Sequence, residues 1–244
     1  TASKSISEVY QGMLESSISV VTPNKIAATR EMGKYLDLKY ATKKFGSKFL
    51  FETNVAAGLP VISTLNELFK SGDRVHSIQA VLSGTLNYLF NNYDGTQPFS
   101  SIIKDAKALG LTEPDPRLDL NGEDVMRKLL ILIRESGRKF EMEQIKQVSF
   151  LPPACEKADD LEHFYALVDE NEAHFKALYE EAKANDAQLR VVATYRNGEA
   201  SVGLEQVQKS HPFYYLEGKD NIVLFYTDRY TEQPLVVKGA GAGA

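Results

Sequence analysis

The order of helix-like and strand-like segments changes near Pro60, and this change limits the possible folds more than any other feature. Before Pro60, helix-like segments at 5–15 and 27–40 alternate with strand-like runs at 17–21 and 48–55. Such alternation is typical of a parallel sheet whose strands are joined by crossover helices. The first part of the chain is therefore predicted to be the end of a parallel α/β sheet.

After Pro60, short strand-like runs gather toward the C-terminus. Helices are predicted over 61–71, 86–92, 100–109 and 124–136, with a further charged helical stretch at 158–186. Strands are predicted over 75–82, 189–195, 200–207, 221–227 and 235–237. The tripeptide Arg196-Asn197-Gly198 joins two of these strands and is a strong hairpin signal. This part is therefore predicted to be an α+β domain with a mainly antiparallel open sheet covered by helices.

The composition argues against several classes of protein. The formal net charge of −5 disfavours a nucleic-acid-binding protein, because phosphate binding needs a basic surface. No apolar run reaches the roughly 18 residues of a membrane-spanning helix, and the N-terminus does not have the pattern of a signal peptide. The single cysteine, Cys155, cannot form an internal disulfide. We expect a cytoplasmic protein that binds neither nucleic acid nor membrane.

The stretch TEPDPRLDLNGEDVMRK, at 112–128, concentrates the charged residues that are candidates for chemistry. It contains five carboxylates and three basic side chains. Its two prolines predict an extended loop, and Asn121-Gly122 predicts a turn before the next helix. Asp124 and Lys128 are four residues apart, so they share one face of that helix.

The helix that contains Asp124 and Lys128 determines how these charges can be interpreted. Between Val125 and Ile133 only Arg127 and Lys128 are polar, which is typical of a largely buried helix. A charge there must be paired, because burying it alone is costly. Two interpretations stay open from the residues alone. One is an ordinary surface Asp–Lys pair contributing about 0.2–0.5 kcal/mol. The other is an acidic pocket in which a desolvated lysine exchanges protons, or in which carboxylates bind an ammonium group.

Three shorter segments are weaker candidates for binding sites. Asn24-Lys25 follows a predicted parallel strand, where ligands of open α/β sheets bind. The loop at 52–60 has one carboxylate and small residues whose carbonyls could converge on a hard cation. Ser83-Gly84-Thr85 opens a predicted helix, whose free N–H groups could bind an anion. Each segment also has a simpler interpretation, as a turn, a close-packed loop and a helix N-cap. The four histidines show no metal-ligand spacing.

Six segments, taken together, resemble one known family. They are TPNKIA at 22–27, FETNVAAGLPVISTL at 51–65, VLSGTLNYLF at 81–90, LGLTEPDPRLDLNGEDVMRKLLIL at 109–132, HPFYYLEGKDNIVLF at 211–225 and PLVVKGAGAG at 234–243. Their order and sequence resemble the homoserine dehydrogenases over nearly the whole chain. The last two segments resemble most the bifunctional aspartokinase–homoserine dehydrogenases.

The resemblance implies an activity and the residues that carry it. Members of the family interconvert L-homoserine and L-aspartate 4-semialdehyde with NAD or NADP, and they form homodimers through the catalytic domain. By this resemblance, Lys128 is the proton donor and acceptor, and Asp124 holds the substrate beside it. The other substrate-binding residues that it implies are Glu113, Asp119, Gly84 and Thr85.

The resemblance also implies positions for the cofactor and for a cation. Lys25, Gly110, Gly239 and Thr1 would lie near NAD or NADP. A monovalent cation, sodium or potassium, would be held by Glu52 and by the main-chain carbonyls of Val55, Ala57 and Leu59.

The resemblance divides the chain into three parts. Residues 1–60 would be a partial nucleotide-binding, Rossmann-like domain, and residues 61–238 a catalytic and dimerisation domain. Residues 239–244 would be a truncated Gly-rich turn that returns to the first domain. The family's own Gly-rich phosphate-binding turn should precede residue 1, so we expect this chain to be a piece truncated at both ends.

A chain without the phosphate-binding turn is expected to bind NAD(P) weakly or not at all, because that turn normally holds the pyrophosphate. Isothermal titration of NADPH into the 244-residue chain checks this expectation. Micromolar affinity would contradict it.

Two other functions stay open at this point. The chain could be a non-catalytic dimerisation or regulatory fragment, or a hydrolase that uses a pair of carboxylates. Dependence on NAD(P)H would separate the dehydrogenase from the hydrolase. Loss of homoserine oxidation in a Lys128→Ala variant of the full-length protein would separate the enzyme from the fragment.

Overall fold

The structure is a computed structural model and describes residues 3–241, so the predicted cofactor residue Thr1 lies outside the described residues. The helices are α1 (Lys4–Glu8), α2 (Tyr10–Glu15), α3 (Lys25–Thr29), α4 (Met32–Phe45), α5 (Val61–Lys70), α6 (Gly84–Asn92), α7 (Phe99–Ala108), α8 (Arg117–Leu120), α9 (Glu123–Glu135), α10 (Pro153–Glu156), α11 (Leu161–Glu170) and α12 (Glu172–Ala184). The strands are β1 (Val20–Val21), β2 (Phe49–Leu50), β3 (Val75–Val81), β4 (Ile145–Val148), β5 (Ala187–Arg196), β6 (Glu199–Gln208), β7 (Asp220–Thr227) and β8 (Leu235–Ala240).

Strands β1 and β2 form a small parallel sheet, in which residues 20–21 lie opposite residues 49–50. β2 is shorter than the predicted strand at 48–55, because the chain turns into a 3-10 helix at Glu52–Asn54. The Glu52 carboxylate accepts hydrogen bonds of 2.8 Å from the main-chain N–H groups of residues 62–63, at the start of α5. These bonds hold the turn against α5 and take it out of the sheet.

The predicted helix at 27–40 is two helices, α3 and α4, which meet at Arg30–Glu31. Arg30 has extended backbone angles, and main-chain carbonyls at the break accept hydrogen bonds from the buried Arg134 side chain. A distant side chain therefore satisfies carbonyls that a continuous helix would pair internally, and the local sequence does not indicate this. The predicted helix at 5–15 likewise divides at Val9.

Six strands form the main sheet in the order β4-β6-β5-β3-β7-β8. Neighbouring strands are antiparallel except β4 and β6, which are parallel. The predicted fold class, part of a parallel sheet plus a mainly antiparallel sheet covered by helices, is confirmed. Asn197 (φ 54°) and Gly198 (φ 84°) close the β5–β6 hairpin as predicted. Positive φ at both turn positions is the geometry of a type I′ turn, which suits the twist of antiparallel strands.

Three elements, β4, α8 and the single turn of α10, escape sequence-based prediction. β4 is an edge strand whose residues, apart from Ile145, are exposed, so it has no clear apolar alternation. α8 lies where two prolines predict an extended loop. There the Asp115 carboxylate accepts hydrogen bonds from the Arg117 main-chain and side-chain N–H groups, each at 3.0 Å. These bonds begin a single helical turn directly after Pro116.

The prediction that residues 239–244 form a Gly-rich turn is wrong at its start. Gly239 and Ala240 continue β8, with Gly239 opposite Asn221 on β7. Strand pairing with β7 therefore extends three residues, 238–240, past the apolar run that predicts the strand. Residues 242–244 lie outside the described residues.

Helix α9 lies in the centre of the main hydrophobic core. From Val125 to Glu135 every residue is buried except Arg127 and Lys128, as the apolar pattern predicts. A smaller apolar cluster covers part of the other face of the main sheet, where Phe213 and Leu216 pack with residues of β5 and β7. Within residues 3–241, no helix is both long enough and apolar enough to cross a bilayer.

The aromatic contacts of Phe99 predict a large loss of stability when its ring is removed. Phe99 is fully buried and stacks on Phe175, with ring centroids 4.4 Å apart. In urea unfolding, Phe99→Ala is expected to lower the free energy of unfolding by about 3–5 kcal/mol. Leu109→Ala, at an exposed residue at the end of the same helix, should change it by less than about 0.5 kcal/mol. Similar small losses in both variants would contradict the packing described here.

Candidate active site

Lys128 is the most enclosed charged group of the candidate site. It lies in the second turn of α9, and its side chain is 15% exposed. Its Nζ donates to the main-chain carbonyl of Leu82, at 2.7 Å, and forms an ion pair with Asp124 Oδ2, also at 2.7 Å. The expected pairing along the helix is present, but in an enclosed setting and with a third partner from the end of β3. Lys128 is therefore more enclosed than the lysine of an ordinary surface pair, whereas the Asp124 side chain is 48% exposed.

Asp124 joins Lys128 to the first part of the chain. Its second oxygen, Oδ1, lies 3.2 Å from Lys25 Nζ at the start of α3. Asn24 places Lys25 there, since its side chain caps α3 by accepting the Ile26 main-chain N–H at 3.0 Å. Partial burial raises the pKa of Asp124, but the ammonium groups of Lys128 and Lys25 outweigh it and lower this pKa overall. Asp124 therefore remains a carboxylate and holds two cations.

The pKa of Lys128 lies below its usual range. Burial of the ammonium group is the largest cause, and the charge of Lys25 acts in the same direction. Asp124 and, more weakly, Asp119 oppose the shift because they favour the charged amine. A lysine whose pKa moves toward neutral pH can both accept and donate a proton under ordinary conditions.

The acidic loop before α9 contributes Asp119 and Glu113. Asp119 Oδ2 accepts the main-chain N–H of Glu113 at 2.8 Å, and Oδ1 lies 3.4 Å from Thr85 Oγ1. Burial raises the pKa of Asp119, and the nearby carboxylates of Glu113 and Asp124 raise it further. The loop thus concentrates negative charge beside the first turn of α6.

Gly84 and Thr85 form the first turn of α6, which the Ser83 side chain caps by accepting the Leu86 N–H at 3.1 Å. The Thr85 hydroxyl donates to the Leu111 carbonyl, which ties α6 to the acidic loop. A side chain at Gly84 would place its Cβ 3.0 Å from the Lys219 carbonyl. Glycine is therefore required here by the close approach of the chain before β7.

A cavity of about 300 Å³ brings several of these residues together. Five of the predicted site residues line it: Ala57, Gly84, Thr85, Gly110 and Lys128. A larger cavity of about 780 Å³, beside β4 and α10, is lined by none of the predicted site residues. Asp124 connects to the smaller cavity through its ion pair with Lys128, and Asp119 through its hydrogen bond with Thr85. Lys25 connects to it through its ion pair with Asp124.

Sequence patterns do not indicate all of the residues that line the smaller cavity. Leu82, Lys219 and Asn221 are the clearest examples. Asn221 is buried, and its Oδ1 has no hydrogen-bond partner among residues 3–241. The segment HPFYYLEGKDNIVLF contains Lys219 and Asn221, but no spacing within it connects them to Lys128.

The loop at 52–60 has an unusual backbone. Ala56 (φ 55°) and Ala57 (φ 46°) both adopt left-handed conformations, which cost energy for residues other than glycine. Within residues 3–241, the carbonyls of Val55 and Ala57 accept no hydrogen bond, whereas the Leu59 carbonyl accepts the Val61 N–H at 2.8 Å. Such a strained loop leaves carbonyl oxygens free for another partner.

The C-terminal glycines contact this loop. The Gly58 N–H donates to the Gly241 carbonyl at 2.9 Å. A Cβ at Gly239 would lie 3.0 Å from Leu59 Cδ2, and a Cβ at Gly241 would lie 2.5 Å from Asn221 Nδ2. The glycines thus allow β8 to pack closely on the loop beside the cavity.

The raised pKa of Asp119 predicts a stability gain in an Asp119→Asn variant. Ionisation of Asp119 is harder in the folded protein than in the unfolded chain, so stability is lost as pH rises past the unfolded value of about 3.9. At pH 7 the variant is therefore expected to have a higher free energy of unfolding than the unmodified protein. Urea unfolding should show this gain shrinking near pH 4. A gain that is equal at both pH values, or a loss at pH 7, would contradict the account.

Known proteins match both the sequence and the structure. The sequence model of the homoserine dehydrogenase family matches residues 60–244. The chain is 42% identical over 252 residues to homoserine dehydrogenase of Schizosaccharomyces pombe, covering 100% of this chain and 67% of that protein. It is 42% identical over 246 residues to the chloroplastic bifunctional aspartokinase/homoserine dehydrogenase 1 of Arabidopsis thaliana, covering 100% and 27%.

The fold is likewise similar to that of a hyperthermophilic archaeal homoserine dehydrogenase solved in complex with NADPH. The TM-score is 0.74 at 24% identity, and the match covers 100% of this chain and 65% of that one. The chain spans about a quarter of the length of the Arabidopsis thaliana relative and two thirds of that of the Schizosaccharomyces pombe relative. The family match over residues 60–244 and the 42% identity to the Schizosaccharomyces pombe enzyme establish that this chain belongs to the homoserine dehydrogenase family.

Proposed function

We propose that the protein of which this chain forms a part interconverts L-homoserine and L-aspartate 4-semialdehyde with NAD or NADP. This reaction serves the biosynthesis of threonine, methionine and isoleucine. The observation that carries the proposal is the enclosed ammonium group of Lys128, which lines a cavity and is held by Asp124 and the Leu82 carbonyl. Two relatives that are 42% identical to the chain have homoserine dehydrogenase in their names.

Lys128 is proposed to move the proton of the substrate hydroxyl. In the oxidation of homoserine, its neutral amine accepts this proton, and the resulting ammonium is stabilised at once by Asp124 and the Leu82 carbonyl. In the reverse reaction the same ammonium returns the proton to the oxygen of the aldehyde. When bound, the nicotinamide supplies the hydride chemistry.

The acidic loop is proposed to hold the substrate's ammonium group. Glu113 and Asp119 provide the negative charge, and Thr85 and Gly84 place the first turn of α6 beside it. Helix N-termini favour negative groups, so the substrate's carboxylate would face the start of α6. This arrangement explains why the carboxylates and the helix terminus lie together.

Lys25, Gly110 and Gly239 are proposed to lie beside NAD or NADP, and Thr1 is proposed for the same site from the resemblance alone. Gly110 lines the cavity, and a Cβ there would meet no atom within 4 Å among those described. Lys25 is linked to Lys128 because both lysines form ion pairs with Asp124. Gly239 lies in the part of β8 that packs closely on the loop next to the cavity. Small residues around an open space suit a flat cofactor ring, and the archaeal relative was solved with NADPH.

The strained loop is proposed to bind a monovalent cation, sodium or potassium. The ligands would be the free carbonyls of Val55 and Ala57, the carbonyl of Leu59 and the Glu52 carboxylate. Each Glu52 oxygen accepts one N–H of α5, and a carboxylate oxygen has further lone pairs for an ion. Within residues 3–241, no three His, Cys, Asp or Glu side chains meet to form a metal site, so the proposed site depends on main-chain oxygens.

We also propose a homodimer, a cytoplasmic location and a domain boundary near Pro60. The open part of the main sheet, on the face that carries Gln79, Thr194 and Tyr226, is the surface on which a second copy would pack.

The proposed domain boundary near Pro60 is supported by the two sheets, since the small parallel sheet ends before Pro60 and the main sheet begins at Val75. A purely non-catalytic fragment is not favoured, because it would have no need of an enclosed lysine in a cavity.

The role of Lys128 is tested by Lys128→Ala in the full-length protein. Loss of the proton acceptor is expected to lower kcat for homoserine oxidation about 10²- to 10⁴-fold. Lys43→Ala, at an exposed lysine on α4, is the matched control and should leave kcat unchanged. Steady-state rates in both directions give the comparison. Equal activity of the two variants would rule out Lys128 as the proton carrier.

A further inference from the structure

Arg134, near the C-terminal end of α9, is a buried charge that the proposed reaction does not use. Its side chain is fully buried. Nη1 donates to the carbonyls of Ala28 and Arg30, at 3.0 and 2.6 Å, and Nε donates to the Phe140 carbonyl at 3.0 Å. Nη2 donates to the Glu141 carboxylate at 2.7 Å. Every nitrogen of the guanidinium therefore has a partner.

The bonds from Nη1 hold the C-terminal end of α3. Ala28 lies in the last turn of this helix, and Arg30 is the residue directly after it. Lys25, which approaches Asp124, is the first residue of the same helix. α9 therefore binds both ends of α3: Asp124 pairs with Lys25 at the start of α3, and Arg134 donates to the carbonyls at its end.

α3 cannot hold this position by itself. It has five residues, and a helix so short is unstable without tertiary contacts. The break at Arg30–Glu31 follows its last turn directly. Its terminal carbonyls therefore have no N–H groups of a following helical turn as hydrogen-bond donors. The guanidinium supplies the missing donors, and the place of Lys25 depends on them.

An adjacent pair of contacts holds α4 in the same manner. Glu135, the next residue of α9, accepts hydrogen bonds from the Tyr35 hydroxyl and from Lys39 Nζ, the latter at 2.9 Å. The guanidinium group of Arg134 also lies over the Tyr35 ring, with Cζ 5.3 Å from the centroid of that ring. The end of α9 thus binds both helices that lie between β1 and β2.

We propose that Arg134 is a positioning residue for proton transfer: by holding the end of α3 it fixes Lys25 against Asp124, and it thereby sets the proton affinity of Lys128. The inference rests on the proposed function of Lys128. If Arg134 had only a structural role, its replacement would change the stability of the fold and nothing else. A buried, paired charge often adds little stability beyond what a well-packed apolar residue would give.

The charged groups that face Lys128 make the direction of the effect clear. They are Asp124 on α9, Lys25 on α3 and Asp119 at the end of α8, and the Leu82 carbonyl faces it from the end of β3. Lys25 is the like charge, and it also shares the Asp124 carboxylate. If Lys25 moves away, Lys128 loses a repelling charge, and the Asp124 carboxylate then interacts with Lys128 alone. The pKa of Lys128 should then rise.

The experiment uses Arg134→Lys in the full-length protein, because lysine keeps the charge but cannot reach the same set of carbonyls. The pH profile of kcat for homoserine oxidation should move upward by about one pH unit. Lys25→Met should give a shift of similar size and direction. The double variant should shift no further than Lys25→Met alone, since both substitutions act through the same contact.

Two further variants separate positioning from stability. Tyr35→Phe keeps the ring under Arg134 but removes its bond to Glu135, so it should lower the melting temperature without moving the pH profile. Glu141→Gln weakens the hold on Arg134 and should give a smaller upward shift, which keeps the test open if Arg134→Lys does not fold. Competitive labelling of the Lys128 amine against pH measures the same shift without turnover.

The inference is overturned if Lys25→Met moves the profile and neither Arg134→Lys nor Glu141→Gln does, or if the shifts of Arg134→Lys and Lys25→Met add. Failure of the unmodified protein to oxidise homoserine would instead overturn the proposed function. The labelling of Lys128 would then still decide whether Arg134 controls its proton affinity.

Discussion

The carboxylate of Asp124 holds two ammonium groups in a partly enclosed site, and the position of the other groups in this site follows from that interaction. Lys128 comes from the central helix of the core, whereas Lys25 comes from the segment that joins the two strands of the small parallel sheet. Two cations so close together require a shared anion, because neither can be buried without a partner. The first part of the chain and α9 are therefore joined by charge as well as by apolar packing.

At the C-terminal end of α9, charged side chains again bind other segments of the chain, and there they are more deeply buried. Arg134 and Glu135 bind α3 and α4, so one helix carries the proposed proton carrier at its start and the contacts to its supports at its end. Nine of the eleven residues between Val125 and Glu135 are buried, and this burial gives α9 the rigidity to act as a common reference for both ends. The proposed proton carrier, Lys128, on such a helix keeps its position with little help from the loops around it.

Sequence patterns were sufficient for the elements whose signals are local. The apolar run after Asp124 predicts a buried helix, and Asn197-Gly198 predicts a hairpin, because each depends on neighbouring residues. The break between α3 and α4 was not predictable, since it is stabilised by Arg134 from over a hundred residues away. In the site, the spacing of Asp124 and Lys128 indicated their pairing, but the contributions of Lys25, Leu82 and Asn221 arise only from the folded arrangement.

In the proposed reaction, Lys128 exchanges a proton with the hydroxyl of homoserine in the cavity between α6, α9 and β7. A crystal structure of the full-length protein with homoserine and an oxidised nicotinamide cofactor tests this most directly. The hydroxyl oxygen is expected about 3 Å from Lys128 Nζ, with the ammonium group of homoserine toward Glu113 and Asp119. Homoserine bound in the larger cavity beside β4 and α10, or with its hydroxyl out of reach of Lys128, would rule out Lys128 as the proton carrier.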